Sequence, residues 1–280
     1  MTTHNPSIQE LVIKALQNKA LTGQKLLQAI QKNRPDTTKQ GLYKTLRQLK
    51  EEEKIVQHGK SFSLNLHWLK EQAEWFNLAK FHYSTPENDP GNFLNLKPGD
   101  KITYYFKNLR LLDIFWSHAL HSLMLATKNS APVFVYNPHE WFTYARSESE
   151  QKLLQTARQQ GRQILITIAK DYVLDKAMRH AFADKNVQYN INANVLKKGD
   201  NYYCNIIQDY LIEVWLDKNI SKTIDTFFQT TTQLTADNKK QLQNIIQLQG
   251  KNRLSISKNP DKAERLTKKL SRDFYIKKTK

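Results

Sequence analysis

The sequence predicts an α/β fold (α+β overall) in two parts, from three observations. Between Asp36 and Asn65, DTTKQGLYKTLRQLKEEEKIVQHGKSFSLN reads as one amphipathic helix and then two short extended pieces around Gly59-Lys60. From Lys101 onward, apolar runs of strand length alternate with helical ones, the pattern of a mixed-sheet layer domain. The net charge of +17 is unevenly spread. Residues 1–65 hold 11 Lys/Arg against 5 Asp/Glu, residues 251–280 hold 11 against 3, and residues 66–250 hold 21 against 18.

The first part is justified element by element. Ile8, Leu11, Val12, Ala15 and Leu16 form an apolar helical stripe with Ser7 as its cap. Thr22 caps a second helix carrying Leu26, Leu27 and Ile30, and Asn33-Arg34-Pro35 turns the chain. Asp36 or Thr37 can accept hydrogen bonds from the first turn of a third helix, whose Leu42, Leu46 and Leu49 recur at i, i+4, i+7. Gly41 costs about 1 kcal/mol in a helix interior relative to Ala, which suits close packing against an earlier helix. Ile55 and Val56, then Phe62, Leu64 and Leu66, alternate about His58-Gly59-Lys60-Ser61, a hairpin with a basic tip.

Three short helices and a hairpin make the layout of a winged helix-turn-helix over residues 1–66. The third helix of such a fold enters the major groove by its N-terminal half. The side chains offered there are Thr37, Thr38, Lys39, Gln40, Tyr43, Lys44 and Arg47, with His58 and Lys60 on the wing. Gln and Arg suit base edges, while Lys, Thr and Tyr suit phosphates. Double-stranded DNA is the expected partner, although the same layout also serves in protein and RNA recognition.

His67 to His82 predicts a helix with more apolar surface than one small domain needs, either a dimerisation helix or a cap on the first core. Ser84 to Asn95, with two Pro and a Gly, reads as a linker that completes a connector over 67–95. The α/β domain is expected over 96–232. Its strands are read at 102–106, 133–136, 163–168, 187–191, 202–207 and 210–216, and its helices at 109–127, 147–160, 172–182 and 217–228. The last two strands form a hairpin at Gln208-Asp209. Residues 233–280 are expected to be a helix over 234–249 and then a basic tail, in which 261–270 reads as a further helix and the end as mobile, adding sequence-independent phosphate contacts.

A resemblance follows from DIFWSHALHSLM, PVFVY, RQILITIA and NIIQDYLIEVWL leading into KTIDTFF, behind the pattern from Ser7 to Asn65. In this order the elements resemble the TrmB-like transcriptional regulators, winged-helix proteins with a phospholipase-D-like C-terminal domain. The resemblance implies a ligand-sensing or dimerising role for the second part. Phospholipase-D catalysis needs HxKxxxxD, with a His nucleophile and a Lys on the phosphate. In the hairpin, Asn205, Ile207 and Asp209 occupy the region where that motif is expected. The one His-x-Lys, His58-Gly59-Lys60, lies at the wing tip with Asn65 in place of the Asp. No catalytic residues are therefore expected, and the domain reads as a degenerate, non-enzymatic one.

Ligands of open α/β sheets bind beyond the strand C-termini, so the segment from Tyr136 to Phe142 is the expected effector site, lined by Trp116, His121, His139, Glu140 and Trp141. An aromatic loop that merely plugs the sheet edge fits the same residues. His118 and His121 stand at i, i+3 without a third ligand in register, so neither a metal nor a cofactor is expected. Cys204 is the single cysteine, which excludes an internal disulfide framework. The opening MTTHNPSIQE lacks a signal peptide's apolar region, and no apolar run spans a bilayer, so a cytoplasmic protein without a membrane partner is expected. The composite expectation is a homodimeric, sequence-specific transcriptional regulator. A nucleic-acid-processing or defence enzyme and an architectural or plasmid-maintenance protein stay open beside it.

Overall fold

The structure, a computed structural model, describes residues 6–84, 93–128 and 131–277. The chain divides into two compact units, Met1–Tyr83 and Ser84–Lys280.

The first unit opens with α1 (Ile8–Leu16), held by a capping box in which Ser7 and Glu10 exchange hydrogen bonds. A two-residue strand, β1 (Leu21–Thr22), leads into α2 (Gly23–Gln31), and Thr22 caps that helix. Then follow α3 (Lys39–Glu51), β2 (Ile55–His58), β3 (Ser61–Leu64) and α4 (Leu66–Ser84). The strands form an antiparallel sheet in the order β1-β3-β2, so the hairpin expected from the sequence gains a third strand that the sequence did not reveal. Two residues are too few to carry an alternation. Leu42, Leu46 and Leu49 turn inward onto Leu11, Val12, Leu16, Leu26 and Ile30, with Ile55 and Phe62 closing the hairpin side.

The ends of α3 differ from expectation. Its cap is Thr38, whose Oγ1 accepts from the Gly41 N–H at 3.0 Å, rather than Asp36 or Thr37. At the other end the Lys54 N–H reaches the Leu49 carbonyl and the Glu53 N–H the Lys50 carbonyl, a Schellman closure. Glu53 has φ 54° there, at a position usually given to Gly because a Cβ is strained in it. A Cβ on Gly41 would lie 3.7 Å from Ile8 of α1, so this turn does face the first helix. The tighter glycine is Gly23, where a Cβ would collide with the Tyr43 hydroxyl.

The expected linker at 84–95 lies largely outside the described residues. The second unit begins with a short 3-10 turn, Phe93–Asn95. It continues through β4 (Lys101–Phe106), α5 (Leu109–Ala126), β5 (Val133–Asn137), α6 (Trp141–Ala145), α7 (Ser147–Gln159), β6 (Ile164–Ile168), α8 (Val173–Phe182) and β7 (Val187–Ile191). The chain completes with β8 (Tyr202–Ile207), β9 (Tyr210–Trp215), α9 (Lys218–Thr230), α10 (Ala236–Ile245), β10 (Asn252–Lys258) and α11 (Pro260–Leu270). Seven strands make one mixed sheet in the order β4-β10-β9-β8-β5-β6-β7. β5, β6 and β7 run parallel, and the remaining pairings are antiparallel.

Side chains alternate between the two faces of the sheet. Val133, Val135, Ile164, Ile166, Tyr203 and Ile212 join the core built with α5, α7, α9 and α10. Phe134, Tyr136, Leu165, Tyr202, Cys204 and Leu211 meet Ala263, Leu266 and Leu270 of α11 on the other. Arg162 is fully buried and donates to the Met124 and Thr127 carbonyls at the end of α5 and to the Ala131 carbonyl, satisfying groups a helix terminus leaves open.

The boundary expected at 232/233 is corrected. β10 lies inside the sheet between β4 and β9, and the helix expected at 261–270 is α11, which covers the sheet's second face, so residues 252–270 belong to the domain rather than to a tail. In NRLSISK, Leu254 and Ile256 face the α5 side, while Ser255 bonds Thr103 across the strand and Arg253 rests on Trp215. The polar residues that made this stretch read as a tail include Asn252, Ser255 and Ser257, which are buried within the strand.

Candidate functional site

Two surfaces carry the chemistry foreseen from the sequence. The first is the outer arc of α3. A helix turns 100° per residue, so Gln40, Lys44 and Arg47 line up on the side opposite Leu42, Leu46 and Leu49, with Tyr43 and Lys39 beside them. All five are exposed, as are Thr38, His58 and Lys60. Lys50 Nζ donates to Gln57 Oε1 at 3.0 Å and Gln57 Nε2 to the Gly59 carbonyl at 2.9 Å, which ties the hairpin to α3. Thr37 is corrected. It is 4% exposed and turned into the unit, where its hydroxyl finds no partner among the described residues, so it offers nothing to a ligand outside.

The second is a cavity of about 50 Å³ between α5 and the sheet, running along the length of β5 and reaching β6. Its apolar walls include Trp116, Leu120, Met124, Val135, Phe142 and Ile166. Asp113, Asn137, Glu140, Thr143, Glu150, Tyr189 and Asn205 are its polar lining. That space exceeds the roughly 10–15 Å³ needed for one water. The strands decide this placement: Asn137 ends β5, and Asn205 sits in β8 with its Oδ1 taking the Trp116 indole N–H.

The electrostatics of the cavity are those of crowded acids. Burial pushes the Glu140 carboxyl up to about 7, against hydrogen bonds from Asn137 Nδ2 and the Thr143 hydroxyl. Glu150 is pushed up to about 8, first by burial and then by the charges of Asp113 and Glu140. Asp113 also rises, because burial outweighs the Arg146 guanidinium that bonds it. Asn137 Oδ1 has no donor among the described residues. The lining therefore holds carboxyls that keep a proton to unusually high pH, beside that one amide oxygen without a donor.

Of the residues foreseen for this pocket, Trp116 and Glu140 line it and His121, His139 and Trp141 do not. His139 lies in the loop after β5, buried, with Nδ1 3.0 Å from Asp175 and Nε2 3.1 Å from Asp225. It is sandwiched between Phe228 and Tyr172, with ring centroids at 4.5 and 5.7 Å. Both ring nitrogens thus face carboxylates, and which of them donates depends on the tautomer. Burial raises the Asp175 carboxyl, opposed by its bond to His139. Lys170 continues the cluster outward, 3.1 Å from Asp200 and 3.6 Å from Asp225. Trp141 is fully buried against Phe142, and His121 stays on α5 away from the lining. Among the described residues no group of three His, Cys, Asp or Glu is arranged to hold a metal ion.

Asp113, Asn137, Arg146, Glu150, Asp175 and Asp225 were not foreseen. Two had a local signal, an Asp within the apolar helical run LLDIFW and an Asn ending the buried strand VFVYN. The region where a phospholipase motif was expected contributes one cavity residue, Asn205, whereas Ile207 packs in the core and Asp209 is exposed on the hairpin turn. The chain matches no family model, no curated protein and no solved structure. Among the described residues, no helix is long and apolar enough to cross a membrane.

Proposed function

We propose that the protein is a sequence-specific, double-stranded-DNA-binding transcriptional regulator. The observation that carries this reading is the outer arc of α3, where Gln40, Lys44 and Arg47 are aligned, exposed and free of acidic neighbours over its first three turns. The order α1-β1-α2-α3-β2-β3, with sheet order β1-β3-β2, fits a winged helix-turn-helix that presents α3 to the major groove. Arg47 and Gln40 read base edges in this proposal, and Lys39, Lys44 and Lys60 neutralise phosphates.

The protein acts as a homodimer in this reading, and α4 is the pairing element. Trp75, Phe76, Leu78 and Phe81 are each more than half exposed on it, and they point to several sides of the helix. The second unit, a degenerate phospholipase-D-like domain, supplies an effector site rather than catalysis. Its acid-lined cavity favours a small polar ligand.

Selection of bound sequences from a random duplex pool tests the reading, followed by titration of the selected site with Lys44→Ala/Arg47→Ala. Paired half-sites are expected, with affinity lost in the double variant. Affinity unaltered by that substitution sinks it.

A further inference from the structure

The large sheet carries a cationic, aromatic surface distinct from α3 and independent of the reading above. On the face that α11 partly covers, one cross-strand row runs Tyr105, Arg253, Trp215, Tyr202 over β4, β10, β9 and β8. Directly opposed residues on one face have Cβ atoms about 5 Å apart, so these four planar groups form a continuous strip. The Arg253 guanidinium carbon lies 4.0 Å from the centre of the Trp215 ring. The Trp215 and Tyr202 rings are 5.4 Å apart, and Lys198 Nζ is 5.3 Å from the Tyr202 ring. Burial falls along the strip: Tyr202 is enclosed, Trp215 and Arg253 are half-buried, and Tyr105 is 76% exposed.

The exposed end opens on a groove that Tyr105 and Trp215 line together with Lys107, Lys218, Lys251 and Arg253. Asp217 is the acid among the groove residues. Its carboxylate is engaged by the backbone N–H groups of Asn219 and Lys251 and feels the Lys251 ammonium, so one acid offsets part of the charge of four cations and the groove stays net positive. The positive charge of residues 251–280 is thus in part displayed on a folded aromatic surface.

Aromatic rings interleaved with cations over an open groove suit a chain of bases and phosphates. A duplex keeps its bases stacked on one another and cannot offer one to Tyr105. An acidic peptide would neutralise the lysines and leave the exposed ring without a partner. We propose that this end of the sheet, centred on Tyr105, Arg253 and Trp215, binds single-stranded nucleic acid. Bases stack on the Tyr105 ring and the Arg253 plane, and Lys107, Lys218 and Lys251 hold phosphates.

The full-length protein is titrated into a labelled oligothymidylate of about 15 nucleotides, a length typical of such binding sites. Tyr105→Ala is expected to weaken binding roughly tenfold, the loss of one stacking contact, whereas Tyr105→Phe keeps it and Arg253→Ala weakens it similarly. Selection of duplex sites is unchanged in all three. Absence of binding by the parent protein, or binding indifferent to Tyr105→Ala, overturns the proposal. So does full competition by a polyglutamate peptide, which would make the groove a site for acidic proteins. Because duplex selection is read separately, loss of one activity does not imply loss of the other.

Discussion

The outer arc of α3 and the cavity under α5 are opposite kinds of surface. On α3 the charged groups are cationic, exposed and clear of the core, so their presence costs the fold little. In the cavity the charged groups are acidic and enclosed, and burial lifts Glu140 and Glu150 toward neutral pH. Substitution on the first surface should therefore change binding and spare stability. Substitution in the second should change stability, and its dependence on pH, before any ligand is added.

The largest expected effect sharpens this contrast on the DNA side. Lys44→Ala/Arg47→Ala should lower affinity for a selected duplex by about a hundredfold, from the roughly 1–3 kcal/mol of a base-reading Arg together with a lost phosphate contact. Calorimetry of the same variant should give an unchanged Tm. A large fall in Tm would mean that the arc belongs to the core after all.

Arg146→Ala attacks the other surface. It leaves the Asp113 carboxylate, 3% exposed, without its guanidinium, and should cost about 3 kcal/mol in denaturant unfolding. Replacing both partners by apolar residues of similar volume should recover most of that loss. If the single variant were as stable as the parent, the pair would not be holding the cavity wall.

The pH dependence separates the regions further. A carboxyl whose folded-state value is raised, as that of Glu140 is to about 7, binds its proton more tightly in the folded state. Its contribution to stability is complete below the unfolded value near 4.5 and is lost as the pH rises through about 7. The parent protein should therefore lose stability between pH 5 and pH 8, and Glu140→Gln should flatten that decline. Equal slopes for parent and variant would show that the carboxyl is solvated.

The smallest effect falls in the first unit. Glu53→Gly removes a Cβ from a left-handed position at the end of α3 and should stabilise the unit by about 0.5–1 kcal/mol, read as a rise in unfolding midpoint. Duplex affinity should not change, because that end of the helix lies away from the recognition arc.

Legibility followed the range of the interactions involved. The helices of the first unit, the turn at His58–Ser61 and the exposed arc of α3 were all readable, because period and capping act within a few residues. Even there the cap fell on Thr38, since tertiary packing turned Thr37 inward. The cavity was half readable. Trp116 and Glu140 were foreseen from the position of their segments, while Asp113, Glu150 and Asn205 come from three separate elements that the sheet order alone assembles.

By itself the sequence determined most of the helices and strands of both units, though not β1, α6 or β10, together with the mixed α/β class and the accumulation of charge at the two ends of the chain. The tertiary structure decided what those end charges are attached to. β10 pairs with β4 some 150 residues earlier in the chain, through registers such as Ser255↔Thr103, and no local pattern encodes so distant a partner. It also decided the protonation of the acids, because a carboxyl's affinity for its proton depends on how far folding removes it from water.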